Sequence, residues 1–345
     1  MSQYKILLIL IMTLYLLNTC YSKSKKEVKV VVEESSNYIF HLQTLGEIVP
    51  EDIEYISLYK DSISKKDQIY LKEHRSLLAW GDGNVGPLTD FFIFKPGYIN
   101  FQGQTEFNEY FNLLSEALQN RDFDMFIKRY DLYFNKMEMM FGPRDIKSDL
   151  QSIIQYTDMV TKIGKIYKKS FRAYHLNVWP KEKVKLKKAA KAINNELQKY
   201  DLINNWETLT SLKFKTDEYH IVLFSANKNG PSANSFGYDR NAFYYNQDIP
   251  TMVQFISHEV GTHLLIDNFV HVMQMNRFEY EDVYKAYENL AEFYNVKFIF
   301  KGKPLCGYDV EKYYQIYTTL YNSNKNISST DLMIKGLETY NAQKK

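Results

Sequence analysis

The interval between two histidines constrains this 345-residue chain more than anything else in it. They sit in the apolar run Phe255-Ile256-Ser257-His258-Glu259-Val260-Gly261-Thr262-His263, which follows a helix start at Asp248-Ile249-Pro250. Side chains four residues apart lie about 40° from each other around an α-helix, and side chains five apart about 140°. His258 and His263 belong to the second class, so a regular helix turns them toward different neighbours. A single π-type turn brings them back together, and such turns concentrate at functional sites. Gly261, a poor helix former, lies inside the interval. The spacing therefore predicts a local distortion at Gly261.

Two imidazoles beside a carboxylate suit zinc, which takes nitrogen and oxygen ligands and, in catalytic sites, three protein ligands with a fourth position open. The acidic residues after His263 are Asp267, Glu279, Glu281, Asp282, Glu288 and Glu292. Asp267 continues the same helix, and Glu279 to Asp282 fall in the connection. Glu288 and Glu292 share a face of the next helix, Val283 to Phe293, which can pack antiparallel on the first. Glu288 is the expected third ligand with His258 and His263. Glu292 either orients a ligating histidine or lies on a solvated face, and the solvated placement is the expectation. Glu259, next to His258, is the expected general base. Tyr280, Tyr284 and His271 are unranked candidates for an oxyanion donor. Arg240 and Arg277 are candidates for a bidentate grip on a substrate carboxylate. His220 and His271 have no partner at ligand spacing and read as structural.

His258-Glu259-Val260-Gly261-Thr262-His263 with Glu288-Asn289-Leu290-Ala291 resembles the tyrosine carboxypeptidase family of gluzincin zinc peptidases. That family pairs His-Glu-x-x-x-His with a downstream Gln-Glu-Gly-Leu-Ala. The likeness spans residues 251 to 292, and this chain has Tyr287 and Asn289 where the family pattern has Gln and Gly. The resemblance implies a zincin-like fold, a zinc ion on His258, His263 and Glu288, and removal of Tyr or similar residues from peptide or protein C-termini. Dipeptidyl peptidase III is similar in its six-residue motif and differs in its Glu motif. A zinc endopeptidase or dipeptidyl peptidase is the alternative within the class. Outside it stands a non-catalytic envelope lipoprotein with structural zinc, against which a retained Glu259 argues.

The rest of the chain narrows the setting. Forty-three basic and 41 acidic residues leave a net charge of +2, so nothing draws the protein to nucleic acid. The Lys-rich stretch Lys181 to Tyr200 reads as an amphipathic helix with a solvated basic face, and no nucleic-acid partner is expected. The 29 Tyr and 22 Phe recur at helical spacing, as in Phe107, Tyr110, Phe111, Leu114 and Leu118, and read as core. Of the two cysteines, Cys20 lies in the leader and Cys306 reads as a small buried hydrophobe, so no disulfide framework is expected.

Ile6 to Leu17 is an apolar run behind a short basic start, shorter than the roughly 20 residues of a membrane span. It reads as an export signal over residues 1–22. Cleavage after Ser22 competes with a lipobox reading in which a lipidated Cys20 anchors the chain to a membrane. The expected location is accordingly exported, at the cell envelope. Residues 23–36 read as a tether, 37–212 as a mainly helical region, and 213–345 as the catalytic core, integrated with the helices before it. Phe91–Phe94 and Tyr98–Phe101 suggest a short hairpin, a third helix is expected from Ile146 to Tyr167, and Tyr219–Phe224 and Asn241–Tyr245 read as strands. The fold class is α+β, mostly helical, with a small sheet beside the motif helix. An edge strand of such a sheet can hold a substrate backbone by β-augmentation.

Overall fold

The computed structural model describes residues 26–49, 51–81, 85–141, 145–230 and 233–343. The export signal and the lipobox fall outside them. Among the described residues no helix is long and apolar enough to cross a membrane.

Helices dominate, around one small sheet. Strand β1 (Glu27–Val31) leads into α1 (Glu34–Leu45), α2 (Ile53–Tyr59) and α3 (Lys65–Glu73). A π-helical segment, Asp90–Phe94, runs into α4 (Lys95–Ile99). Then come α5 (Gln104–Asn120), α6 (Asp124–Phe141), α7 (Ile146–Ser152), α8 (Thr157–Asn177), α9 (Trp179–Leu197) and α10 (Leu202–Thr210). The strands β2 (Glu218–Phe224), β3 (Ala233–Gly237) and β4 (Arg240–Tyr244) precede α11 (Ile249–Gln274), α12 (Tyr280–Tyr294), a second π-helical segment Asn295–Ile299, α13 (Val310–Ser323) and α14 (Ser329–Ala342). The α+β expectation holds at this level.

The sheet order is β1-β2-β4-β3, with β1, β2 and β4 parallel and β3 antiparallel on β4 at the edge. Alternation sorts its two faces. Phe224 and Phe236 meet Phe40 of α1, whereas Tyr219 and Phe243 meet His263 and Phe255 of α11. The sheet is thus sandwiched between α1 and the motif helix, and register places Ile221, Asn241 and Ser235 side by side on the α11 face.

Three sequence expectations need correction. The tether of residues 23–36 contains β1, which pairs with β2 from Glu27 to Val31, and the first turns of α1. Its alternation buries Val30 while Lys29 pairs with Glu27 and Glu218 at the surface, so charged residues marked one face of a strand. The expected hairpin at 91–101 is helical. Phe91, Phe92, Ile93 and Tyr98 are all buried, the Lys95 ammonium pairs with Asp90, and Asn100 ends the helix in the left-handed region at φ 51°. Short apolar runs do not separate strand from buried helix. The single helix from Ile146 to Tyr167 is instead α7, a 3₁₀ turn at Ile154–Tyr156, and α8. Gly164 lies inside α8, where α5 crosses with Phe111 Cβ 3.5 Å from the position a Cβ would take.

Candidate metal and catalytic site

α11 is α-helical without interruption from Ile249 to Gln274, so the π turn expected at Gly261 is absent. Gly261 answers a different need: a Cβ there would lie 2.2 Å from Trp206 Cζ2 of α10. Only a bare Cα lets the buried indole, whose Nε1 donates to Ser257 Oγ at 3.0 Å, cross the helix so closely.

With the helix regular, the motif divides between two stripes. Phe255, Glu259 and His263 follow one another at intervals of four and face the sheet, meeting Phe243, Asn241 and Ser235 respectively. His258 faces α12 instead. Tyr287 of α12 locks the two helices by donating from its hydroxyl to the Thr262 carbonyl at 2.5 Å.

His258 is enclosed by carboxylates. Its Nδ1 lies 3.0 Å from Glu292 Oε2 and its Nε2 lies 3.1 Å from Glu288 Oε2. An imidazole with an acceptor against each nitrogen is satisfied only as imidazolium or with a cation at one nitrogen. Without a metal the proton plays that part: burial disfavours the charge, but hydrogen bonds to Cys306, Glu288 and Glu292 outweigh it and hold the His258 pKa well above its ordinary value. Glu292 is 1% exposed, which corrects the solvated placement. It accepts from His258, from Leu305 N–H at 2.6 Å, and from Asn295 Nδ2 and Cys306 Sγ at 3.4 Å. Burial acts against its charge, but these donors prevail and lower its pKa.

His263 is wholly buried and neutral, its pKa lowered to about 4 by burial against the opposing effect of its bond to Tyr238. Its Nδ1–H donates to the Tyr238 carbonyl at 2.7 Å, which leaves the Nε2 lone pair to accept from Ser235 Oγ at 2.6 Å. Both histidines thus have Nδ1 against an acceptor, while their Nε2 atoms meet different groups, Glu288 for His258 and Ser235 for His263.

Glu259 is partly exposed, and its Oε2 accepts from Asn241 Nδ2 at 3.0 Å. Burial raises its pKa to about 7, with the nearby Glu288 adding to the effect and His258 and Asn241 opposing it. A carboxylate poised there can take and return a proton near neutral pH. Tyr284 adjoins the same charges: burial first, then Glu288, pushes its phenol pKa up. Tyr280 is largely exposed and stacks on Tyr284 with ring centroids 6.1 Å apart.

His258 and Glu288 are brought together as the sequence suggested, but His263 faces β3. The group of described residues whose ligand atoms all lie within 4.8 Å of one another is His258, Glu292 and Cys306. From the sequence, Cys306 reads as a small buried hydrophobe. Its thiol meets both His258 and Glu292, and burial raises its pKa to about 11 although His258 pulls the other way. The remaining candidates lie elsewhere. Arg240 is buried in an ion pair with Glu33, Arg277 pairs with Glu338 at 2.8 Å on the surface, and His271 is exposed near the end of α11. His220 pairs with Glu218 at 2.9 Å, and Asp267 with Lys215 at 2.8 Å. Ser235 and Asn241 carry no local signal as site residues, because only the strand register sets them opposite the motif helix. No protein-family model, curated protein or solved structure matches this chain.

Proposed function

We propose that the chain is a zinc-dependent peptidase of zincin-like, gluzincin type, acting on peptide or protein C-termini with aromatic residues. The observation that carries the metal reading is His258, whose two ring nitrogens each meet a carboxylate, Glu292 at Nδ1 and Glu288 at Nε2, so that a cation at Nε2 would satisfy both. His258 and Glu288 would hold the ion, and His263, whose Nε2 meets Ser235, would have to release that bond and turn toward them to complete the set. The three parallel strands with an antiparallel edge strand, beside a motif helix and a second acidic helix, agree with a zincin-like core.

Zinc, when bound, supplies Lewis acidity to the attacking water and the scissile carbonyl. Glu259 would take a proton from an attacking water and return it to the leaving amine. Tyr284, whose phenol adjoins the Glu288 charge, is a candidate donor to the developing oxyanion. The preference for a C-terminus rests on the family resemblance alone, because Arg240 and Arg277 are engaged elsewhere. Internal cleavage is the alternative within the class. An exported or envelope location, with Cys20 as an anchor under the lipobox reading, belongs to the same proposal.

The second reading, a structural zinc, is favoured by the His258, Glu292 and Cys306 group, which brings an imidazole, a carboxylate and a thiol within 4.8 Å of one another. One experiment separates the two: incubation with a peptide library, with and without chelator, and mass spectrometry of the products. Chelator-sensitive turnover is expected, retained with its zinc in Cys306→Ser and lost with zinc kept in Glu259→Gln. Loss of zinc from Cys306→Ser, with no products from the wild-type chain, would establish the structural site instead.

A further inference from the structure

We infer that Asn241 is a positioning residue for the Glu259 carboxylate, an inference that rests on the peptidase reading above. Asn241 is a wholly buried amide in β4, paired in register with Ile221 and two residues before Phe243, where the pattern of this face calls for an apolar side chain. Asparagine is depleted in strands, and burying an amide is costly unless its hydrogen bonds are made. Here they are made, in one specific sense. Asn241 Oδ1 accepts from the Asn234 backbone N–H at 2.7 Å, which fixes which way the amide points. Its Nδ2 then donates to Glu259 Oε2 at 3.0 Å and to Ser235 Oγ at 3.3 Å. Ser235 in turn meets His263 Nε2 at 2.6 Å.

A single side chain thus ties the carboxylate that moves the proton to the strand that borders the second histidine. Glu259 stands on a turn of α11 that could otherwise swing its carboxylate through several rotamers. With Oε2 held by an amide that is itself clamped to the main chain, the carboxylate plane is set and Oε1 remains for proton transfer. Asn241 touches neither substrate nor metal in this scheme and acts through Glu259.

The test uses the full zinc-loaded chain carrying Asn241→Ala or Asn241→Asp, with peptide turnover, zinc content and circular dichroism measured beside the wild type. Loss of an outer hydrogen-bond partner typically costs about 10- to 100-fold. That loss is expected in kcat for Asn241→Ala, with KM and zinc content unchanged. Asn241→Asp is the discriminating variant: it keeps the shape and the acceptor for Asn234 N–H, but turns an acceptor toward Glu259. It should fall at least as far as the alanine variant, whereas a purely structural role makes it the milder of the two. Full turnover in Asn241→Ala, an aspartate variant more active than the alanine one, or loss of zinc or fold in both overturns the inference while leaving the peptidase reading intact. A wild-type chain without chelator-sensitive turnover overturns both.

Discussion

Gly261 is where one absent methyl group decides the relation between two helices. Replacing glycine by alanine in a helix interior ordinarily gains about 1 kcal/mol. Here the new Cβ would lie 2.2 Å from a fully buried Trp206 ring that is held in place by its bond to Ser257. Overpacking of that kind typically costs about 1–3 kcal/mol and exceeds the helix-forming gain. Gly261→Ala should therefore lower the urea midpoint with an unchanged slope; a stabilised variant would show that the indole can give way. The same residue marks a limit of reading. Its type and place in the interval were visible, but the reason for it, a ring arriving from α10, was not. Glu292 is parallel: periodicity set it on the face of Glu288, and only packing against Leu305 and Asn295 made it the buried partner of His258.

Between elements, the long connection from α12 to α13 is pinned to the site from two points. Glu292 accepts from Leu305 and Cys306, and Asn289 Nδ2 donates to the Tyr308 carbonyl at 2.6 Å and to the Lys285 carbonyl at 2.8 Å. Asn289 is thus one of the two anchors of this connection. Gly307 lies against it at φ +123°, where a Cβ would come 2.5 Å from Asn289 Oδ1. In Asn289→Ala the higher helix propensity of alanine favours α12, so the loss falls on the bonds to Tyr308 and Lys285. We expect a stability loss of about 0.5–1.5 kcal/mol for the missing hydrogen bonds and faster tryptic cleavage at Lys301 and Lys303 under native conditions. Unchanged cleavage would mean that Glu292 alone suffices. The helical stripes, the strands β2 and β4 and the antiparallel pairing of α11 with α12 were open to a periodicity argument. The edge strand β3 was not, since Ala233–Gly237 carries little apolar alternation and is a strand because β4 pairs with it.

At the scale of the molecule, the segment that joins β1 to α1 is structural. Glu33, two residues after β1, pairs with Arg240 at the start of β4, and both are buried. Removing one member of a buried pair typically costs about 3–5 kcal/mol, because the other charge is left without compensation. Glu33→Ala should destabilise the whole fold by that order in denaturant titration, and Glu33→Ala with Arg240→Met should recover part of it. A loss below about 1 kcal/mol would place Arg240 in contact with water.

The sequence by itself determined the helical stripes, the two strands flanking the motif helix, and the candidate set His258, Glu259, His263 and Glu288, because periodicity and ligand chemistry are local properties. Tertiary structure alone decided that α11 stays regular, that Glu259 and His263 share the stripe facing the sheet while His258 faces α12, and that Asn241, Ser235, Glu292 and Cys306 surround them. Those facts depend on strand register and on which helix crosses at Gly261, and contacts between residues distant in sequence have no local signature.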